Sequence, residues 1–83
     1  GRVAMNRELG ELLFKAIDDL SSKHRDVILL REIDGLSYEE IAETVGCSIG
    51  TVMSRLFHAR KNVQKVMAPY YKGADIQPEG GQA

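Results

Sequence analysis

The sequence has no tryptophan, a single cysteine and no long apolar run. Because Cys47 has no second thiol to pair with, neither an intramolecular disulfide nor a cysteine-based zinc site is available. The longest wholly apolar run, Val27 to Leu30, falls far short of the about 20 residues that a membrane span requires. We therefore expect a soluble protein of the reducing cytoplasm, with no membrane partner and no metal.

Length and composition indicate one small domain. The chain has 83 residues, of which 43% are hydrophobic, and a domain of that size buries only about 60% of the surface its unfolded chain exposes. The chain starts Gly-Arg-Val-Ala-Met without an initiator methionine, so we interpret residues 1–5 as a linker or cloning remnant of a longer protein. Residues 6–71 form the predicted domain. Residues 72–83 lack periodicity and hold three glycines, which predicts a disordered tail.

Charge is unevenly distributed along a chain whose net charge is only −1. Residues 1–43 hold ten acidic and six basic residues, whereas residues 44–72 hold five basic residues and no acidic one. A basic segment on an acidic body is typical of a protein with one face directed at phosphates. A solvated basic helix face without a partner is the alternative reading of the same pattern.

The spacing of apolar residues predicts two helices in the first half of the chain. The first runs from about Asn6, and its apolar stripe comprises Leu9, Leu12, Leu13, Ala16, Ile17 and Leu20. A second, short helix follows the possible caps Ser21 and Ser22 and continues to Ile33. Gly35 then offers the left-handed conformation that commonly ends a helix.

Two further helices are predicted after Gly35. Ser37 and Glu40 have the spacing of a capping box, which starts a third helix that ends at Gly46. Ser48 caps a fourth helix, Ile49 to about Met67, which Pro69 ends. Its predicted inward residues are Val52, Leu56, Ala59, Val63 and Val66.

The connection between the third and fourth helices predicts a helix-turn-helix. Gly46, Cys47 and Ser48 are too few residues for an antiparallel hairpin, so the helices must cross steeply. Ala42 is small where the helices approach, and Val52 is placed to pack the fourth helix on the third. The fold class is therefore all-α, a four-helix domain with the recognition helix last. Cys47 is best explained as a small apolar filler of the turn.

The predicted DNA-binding residues lie at the outward positions and flanks of the fourth helix, whose N-terminal part enters the major groove in such motifs. Ser54 can contact either base edge, and Phe57 can pack on a thymine methyl group. The full set is Ser48, Gly50, Thr51, Met53, Ser54, Arg55, Phe57, His58, Arg60 and Lys61. Two alternatives stay open: a rotated helix would bury Met53 and Phe57, and His58 could be merely solvated. We expect His24 to face solvent.

The string from Leu36 to Arg60, LSYEEIAETVGCSIGTVMSRLFHAR, with REIDG before it, resembles the C-terminal region four domain of extracytoplasmic-function sigma factors of bacterial RNA polymerase. The resemblance implies that the fourth helix recognises the −35 element of double-stranded promoter DNA. It also implies docking on the β flap of the RNA polymerase core and regulation by an anti-sigma factor. Met53 and His58 stand where many members carry arginine, so the resemblance says least about the preferred promoter sequence.

Two other functions compete with this interpretation. The chain could be the DNA-binding output domain of a two-component or quorum-sensing regulator, although the Ser-Arg-x-x-x-Ala-Arg string disfavours it. It could instead be a helical adaptor that binds only proteins. An enzyme is not expected, because no titratable residues have a spacing suited to catalysis: Glu40 is explained by capping and Glu39 by the helix dipole. No catalytic residue and no cofactor is predicted.

Overall fold

Four helices make up the described part of the chain. The computed structural model describes residues 7–70, and the expectations for residues 1–5 and 72–83 lie outside that range. The elements are α1 (Arg7–Asp18), α2 (Ser22–Glu32), α3 (Tyr38–Val45) and α4 (Ile49–Met67), followed by a 3-10 turn, Ala68–Tyr70. The predicted all-α domain with its helix-turn-helix at the end is confirmed. No helix in residues 7–70 combines the length and apolar character needed to cross a bilayer.

The turn between α2 and α3 has the predicted glycine and an additional arginine contact. Ser21 takes the extended N-cap conformation of α2, but its side chain makes no capping hydrogen bond. At the other end Gly35 is left-handed, with φ of 71°. Arg31 donates from Nη1 to the Leu36 carbonyl at 2.8 Å, and its guanidinium lies 4.8 Å from the centre of the Tyr38 ring. Arg31 thus ties the end of α2 to the start of α3.

The predicted caps of α3 and α4 are confirmed. The Glu40 amide donates to Ser37 Oγ at 3.1 Å, and the Ser37 amide donates to Glu40 Oε1 at 2.8 Å. Helix α3 ends at Gly46, whose φ of 76° is left-handed. Both the Gly46 and Cys47 amides donate to the Ala42 carbonyl, at 2.9 and 3.0 Å. These bonds satisfy carbonyls that the helix end would otherwise leave unpaired, and they redirect the chain into α4.

The core lies where α4 packs against the other three helices. Its most deeply buried side chains are Val27, Ile41, Val52, Leu56 and Ala59. The three on α4, Val52, Leu56 and Ala59, were expected to face inward from their spacing. Residues one helical turn apart on α4 therefore fix which face of the helix remains outside.

The last turn of α4 corrects one prediction. Val66 was expected in the core but is 50% exposed, whereas Met67 is only 3% exposed. Steps of three and of four residues both remain on one helix face, so spacing alone could not choose between them. The neighbouring elements lie on the side of Met67, and burial follows their position.

Candidate nucleic-acid interface

The outward face of α4 carries most of the predicted DNA-binding residues. Ser48, Gly50, Met53, Ser54, His58 and Lys61 are exposed, and Thr51, Arg55, Phe57 and Arg60 are partly buried. The alternative in which a rotated helix buries Met53 and Phe57 is wrong. Met53 is 53% exposed, and Phe57 is not among the residues packed against the core. The face is thus a mixture of small, apolar and basic side chains.

The beginning of α4 is held by two hydroxyl groups. Ser48 Oγ accepts from the Thr51 amide at 3.1 Å and donates to Thr51 Oγ1 at 3.0 Å. Beside them, a Cβ placed on Gly50 would meet no atom nearer than Ser48 Oγ, at 3.9 Å. The fold itself therefore does not require a glycine at position 50.

Arg60 is placed differently from the other predicted residues. Its Nη2 and Nε donate to Glu32 Oε2 at 2.6 and 3.2 Å, and its side chain is only 19% exposed. The pair joins the end of α2 to the middle of α4. Arg60 therefore links α2 to α4. Any contact of Arg60 with DNA would have to coexist with its bond to Glu32. Sequence reasoning missed the role of Glu32, because 28 residues separate the partners and no local pattern links them.

Three aromatic rings form a row from α2 to the outward face of α4. The His24 and His58 ring centroids lie 6.2 Å apart with a 37° tilt. The Phe57 ring meets His58 edge to face at 5.4 Å, and Lys61 Nζ lies 5.8 Å from the Phe57 centroid. His24 is partly buried against this row, so the expectation that it faces solvent is wrong.

His58 and Arg60 each contact a side chain of α2. These residues are two positions apart, so their side chains point about 200° apart around α4. His58 meets His24 in the first turn of α2, and Arg60 meets Glu32, the last residue of α2. Helix α2 therefore contacts α4 near both of its own ends, through residues about 12 Å apart along its axis.

A groove lies between α2 and α3. It encloses about 500 Å³ and is lined by Asp26, Leu29, Leu30, Asp34, Thr44 and Val45. Leucine and valine side chains supply its apolar part, and two carboxylates supply acidic edges.

Comparison with known proteins agrees with the helix-turn-helix geometry. The model of the family described as "Sigma-70, region 4" matches residues 10–63, from α1 into α4. The chain is also similar to the "ECF RNA polymerase sigma-E factor" of Escherichia coli K12 and of Salmonella typhi, at 45% identity over 65 residues. The corresponding protein of Haemophilus influenzae is 42% identical over 65 residues. These alignments cover 78% of this chain and 34% of each relative, so the chain spans about a third of their length.

Proposed function

This chain belongs to the sigma-70 region 4 family, and from that premise we propose that it recognises the upstream −35 promoter element as part of an RNA polymerase sigma factor. Helix α4 is the reading element, with its outward face in the major groove. The family is one of transcription-factor domains and not of enzymes. The polymerase therefore supplies the catalysis, and this chain supplies sequence recognition.

The observation that carries the proposal is the composition of the outward face of α4. The helix contains no acidic residue from Ile49 to Met67, and Val52 and Leu56 are buried on its core-facing side. Ser54 and Phe57, on the outer side, suit a base edge and a thymine methyl group respectively. The helix amino end beside Gly50 suits a backbone phosphate. The set Ser48, Gly50, Thr51, Met53, Ser54, Arg55, Phe57, His58, Arg60 and Lys61 is the proposed DNA-binding surface.

Replacing Arg55 with alanine tests the proposal. We expect the full-length protein, bound to polymerase, to lose affinity for its promoter, because a cation at the flank of α4 is removed. If Arg55 contacts a phosphate, the slope of log affinity against log salt becomes shallower by about 0.9. Lys15→Ala, an exposed cation on α1, is the matched control and should leave the slope unchanged.

Equal slopes and affinities in Arg55→Ala, Lys15→Ala and the parent protein would contradict DNA recognition by this face. A protein-only adaptor predicts that result. Arg60→Ala is a less direct probe, because it also breaks the bond to Glu32. A footprint on an inverted repeat in the absence of polymerase would favour a two-component or quorum-sensing regulator, a hypothesis that the family match disfavours.

The groove between α2 and α3 is the proposed docking site for the β flap of the polymerase core. Leu29, Leu30 and Val45 offer an apolar floor, which suits the apolar face of a helix. Asp26 and Asp34 at the edges favour a partner with basic flanking residues. We also propose that an anti-sigma factor regulates the protein by covering these same surfaces.

Filling the groove should separate polymerase docking from folding. Thr44 is exposed on the groove wall, and its hydroxyl bonds only its own helix, at the Glu40 carbonyl. Thr44→Arg should therefore leave the melting temperature nearly unchanged while weakening binding of the full-length protein to core polymerase by tenfold or more, roughly the effect of one blocked anchor. Glu43→Arg, exposed at the adjacent position, is the control. Equal core affinity for both variants would place the docking site elsewhere.

A further inference from the structure

The pairing of His24 with His58 is not explained by the reading role of α4. The two imidazoles come from different helices, and their centroids lie 6.2 Å apart. His58 is further held by the edge of the Phe57 ring at 5.4 Å. The chain contains two histidines in all, and the fold brings both to one edge of the outward face of α4. A ligand bound by both imidazoles would bridge α2 and α4 at that edge.

The charge around the pair favours an anion as its ligand. Arg55 and Lys61 are one helical turn before and after His58, and Lys61 Nζ lies 5.8 Å from the centroid of the Phe57 ring that contacts His58. The first turn of α2 holds no acidic residue. A transition metal would need three or four ligands, and residues 7–70 contain no group of three His, Cys, Asp or Glu side chains placed for one. Two imidazoles in a basic setting therefore suit an oxyanion better than a cation.

The position of the pair on α4 favours a phosphate of the DNA backbone as that oxyanion. His58 is exposed and lies beside His24 of α2, and a helix lying in the major groove has a DNA backbone along each side. An imidazole carries at least one N–H donor in either protonation state. Phosphate contacts of this kind fix the register of a protein on DNA without reading sequence.

We propose that His24 and His58 jointly bind one backbone phosphate of the promoter, which extends the DNA-binding surface from α4 onto the first turn of α2. The inference rests on the proposed function, because it requires α4 to lie in the major groove. His24 is then a DNA contact that lies outside the helix-turn-helix motif. Its contact fixes the position of the domain along the DNA backbone, while Ser54 and neighbouring residues contact the bases.

A methylphosphonate scan tests the shared contact. Promoter duplexes that carry one neutral methylphosphonate at each position in turn are bound to polymerase holding the full-length protein, as the parent, His24→Ala or His58→Ala. At one position we expect the neutral linkage to weaken promoter binding by the parent protein about tenfold, as loss of a charged hydrogen bond does. At that position the neutral linkage should cause little or no further loss of promoter affinity in His24→Ala and His58→Ala, because the contact is already absent from both variants. A merely structural histidine pair would not produce this position-specific loss.

Two controls keep the outcomes distinct. Ser22→Ala, exposed in the same turn of α2, should reproduce the parent profile, and thermal unfolding should show that His24→Ala remains folded. If no phosphate position distinguishes His24→Ala from the parent while Arg55→Ala still weakens binding, the phosphate site is refuted and the proposed function stands. If neither variant affects DNA binding, the proposed function itself fails. Stabilisation by added zinc that needs both histidines, with an unchanged scan, would overturn the proposal in favour of a metal site.

Discussion

Leu56→Ala is expected to cost about 2–5 kcal/mol of unfolding free energy, the range for truncating a buried leucine. Leu56 is 1% exposed and lies in the core that α4 shares with the other helices. A domain of this size has a total stability of only several kcal/mol. We therefore expect the melting temperature to fall by more than about 10 °C, as measured by circular dichroism, or the variant to be unfolded at 37 °C.

Val66→Ala is the matched control for Leu56→Ala. It also removes apolar atoms from α4, but Val66 is 50% exposed, and alanine has the higher helix propensity. Its melting temperature should stay within a few degrees of the parent. If Val66→Ala destabilised the domain as much as Leu56→Ala, the assignment of the core-facing side of α4 would be wrong.

Ser54→Glu is expected to weaken promoter binding severely without unfolding the domain. Ser54 is exposed at the centre of the outward face, so a carboxylate there would face the phosphates and base edges of the groove. Like charges juxtaposed in an interface cost several kcal/mol, and about 3 kcal/mol corresponds to roughly a hundredfold loss of affinity. Promoter binding and run-off transcription by the reconstituted polymerase would measure the loss.

Ser54→Gln separates charge from size in that experiment. Glutamine has nearly the same volume and helix propensity as glutamate but carries no charge. We expect it to bind the promoter more weakly than the parent and far more strongly than Ser54→Glu. Identical losses for the two variants would mean that bulk alone excludes the DNA, and normal activity of Ser54→Glu would contradict the placement of Ser54 in the groove.

Local chemistry was sufficient to predict most of the fold. The capping box at Ser37, the left-handed Gly46 and the Ser48 cap each depend on residues a few positions apart, which a sequence displays directly. The inward face of α4 followed from the spacing of Val52 and Leu56. Prediction was wrong at Val66, where burial depends on which side the neighbouring elements lie, and that information is tertiary.

The candidate site was predictable only as a list of outward positions. Which of those side chains are engaged within the fold depends on α2, whose residues precede them by some 30 positions. Glu32 bonds Arg60, and His24 meets His58. A helical wheel places Arg60 at a flank of α4 and Lys61 opposite Val52, but only the structure shows that Arg60 bonds Glu32 while Lys61 is exposed. Such long-range pairs leave no periodic pattern, since their spacing is set by helix crossing.

The two side-chain contacts between α2 and α4 bear on how promoter preference can change. Because His24 and Glu32 contact residues that point about 200° apart around α4, these contacts oppose rotation of α4 about its own axis. If α4 reads the promoter as we propose, we expect substitutions at Met53 or Ser54 to alter which bases are preferred without changing the angle at which the helix meets them. Promoter specificity would then change one position at a time.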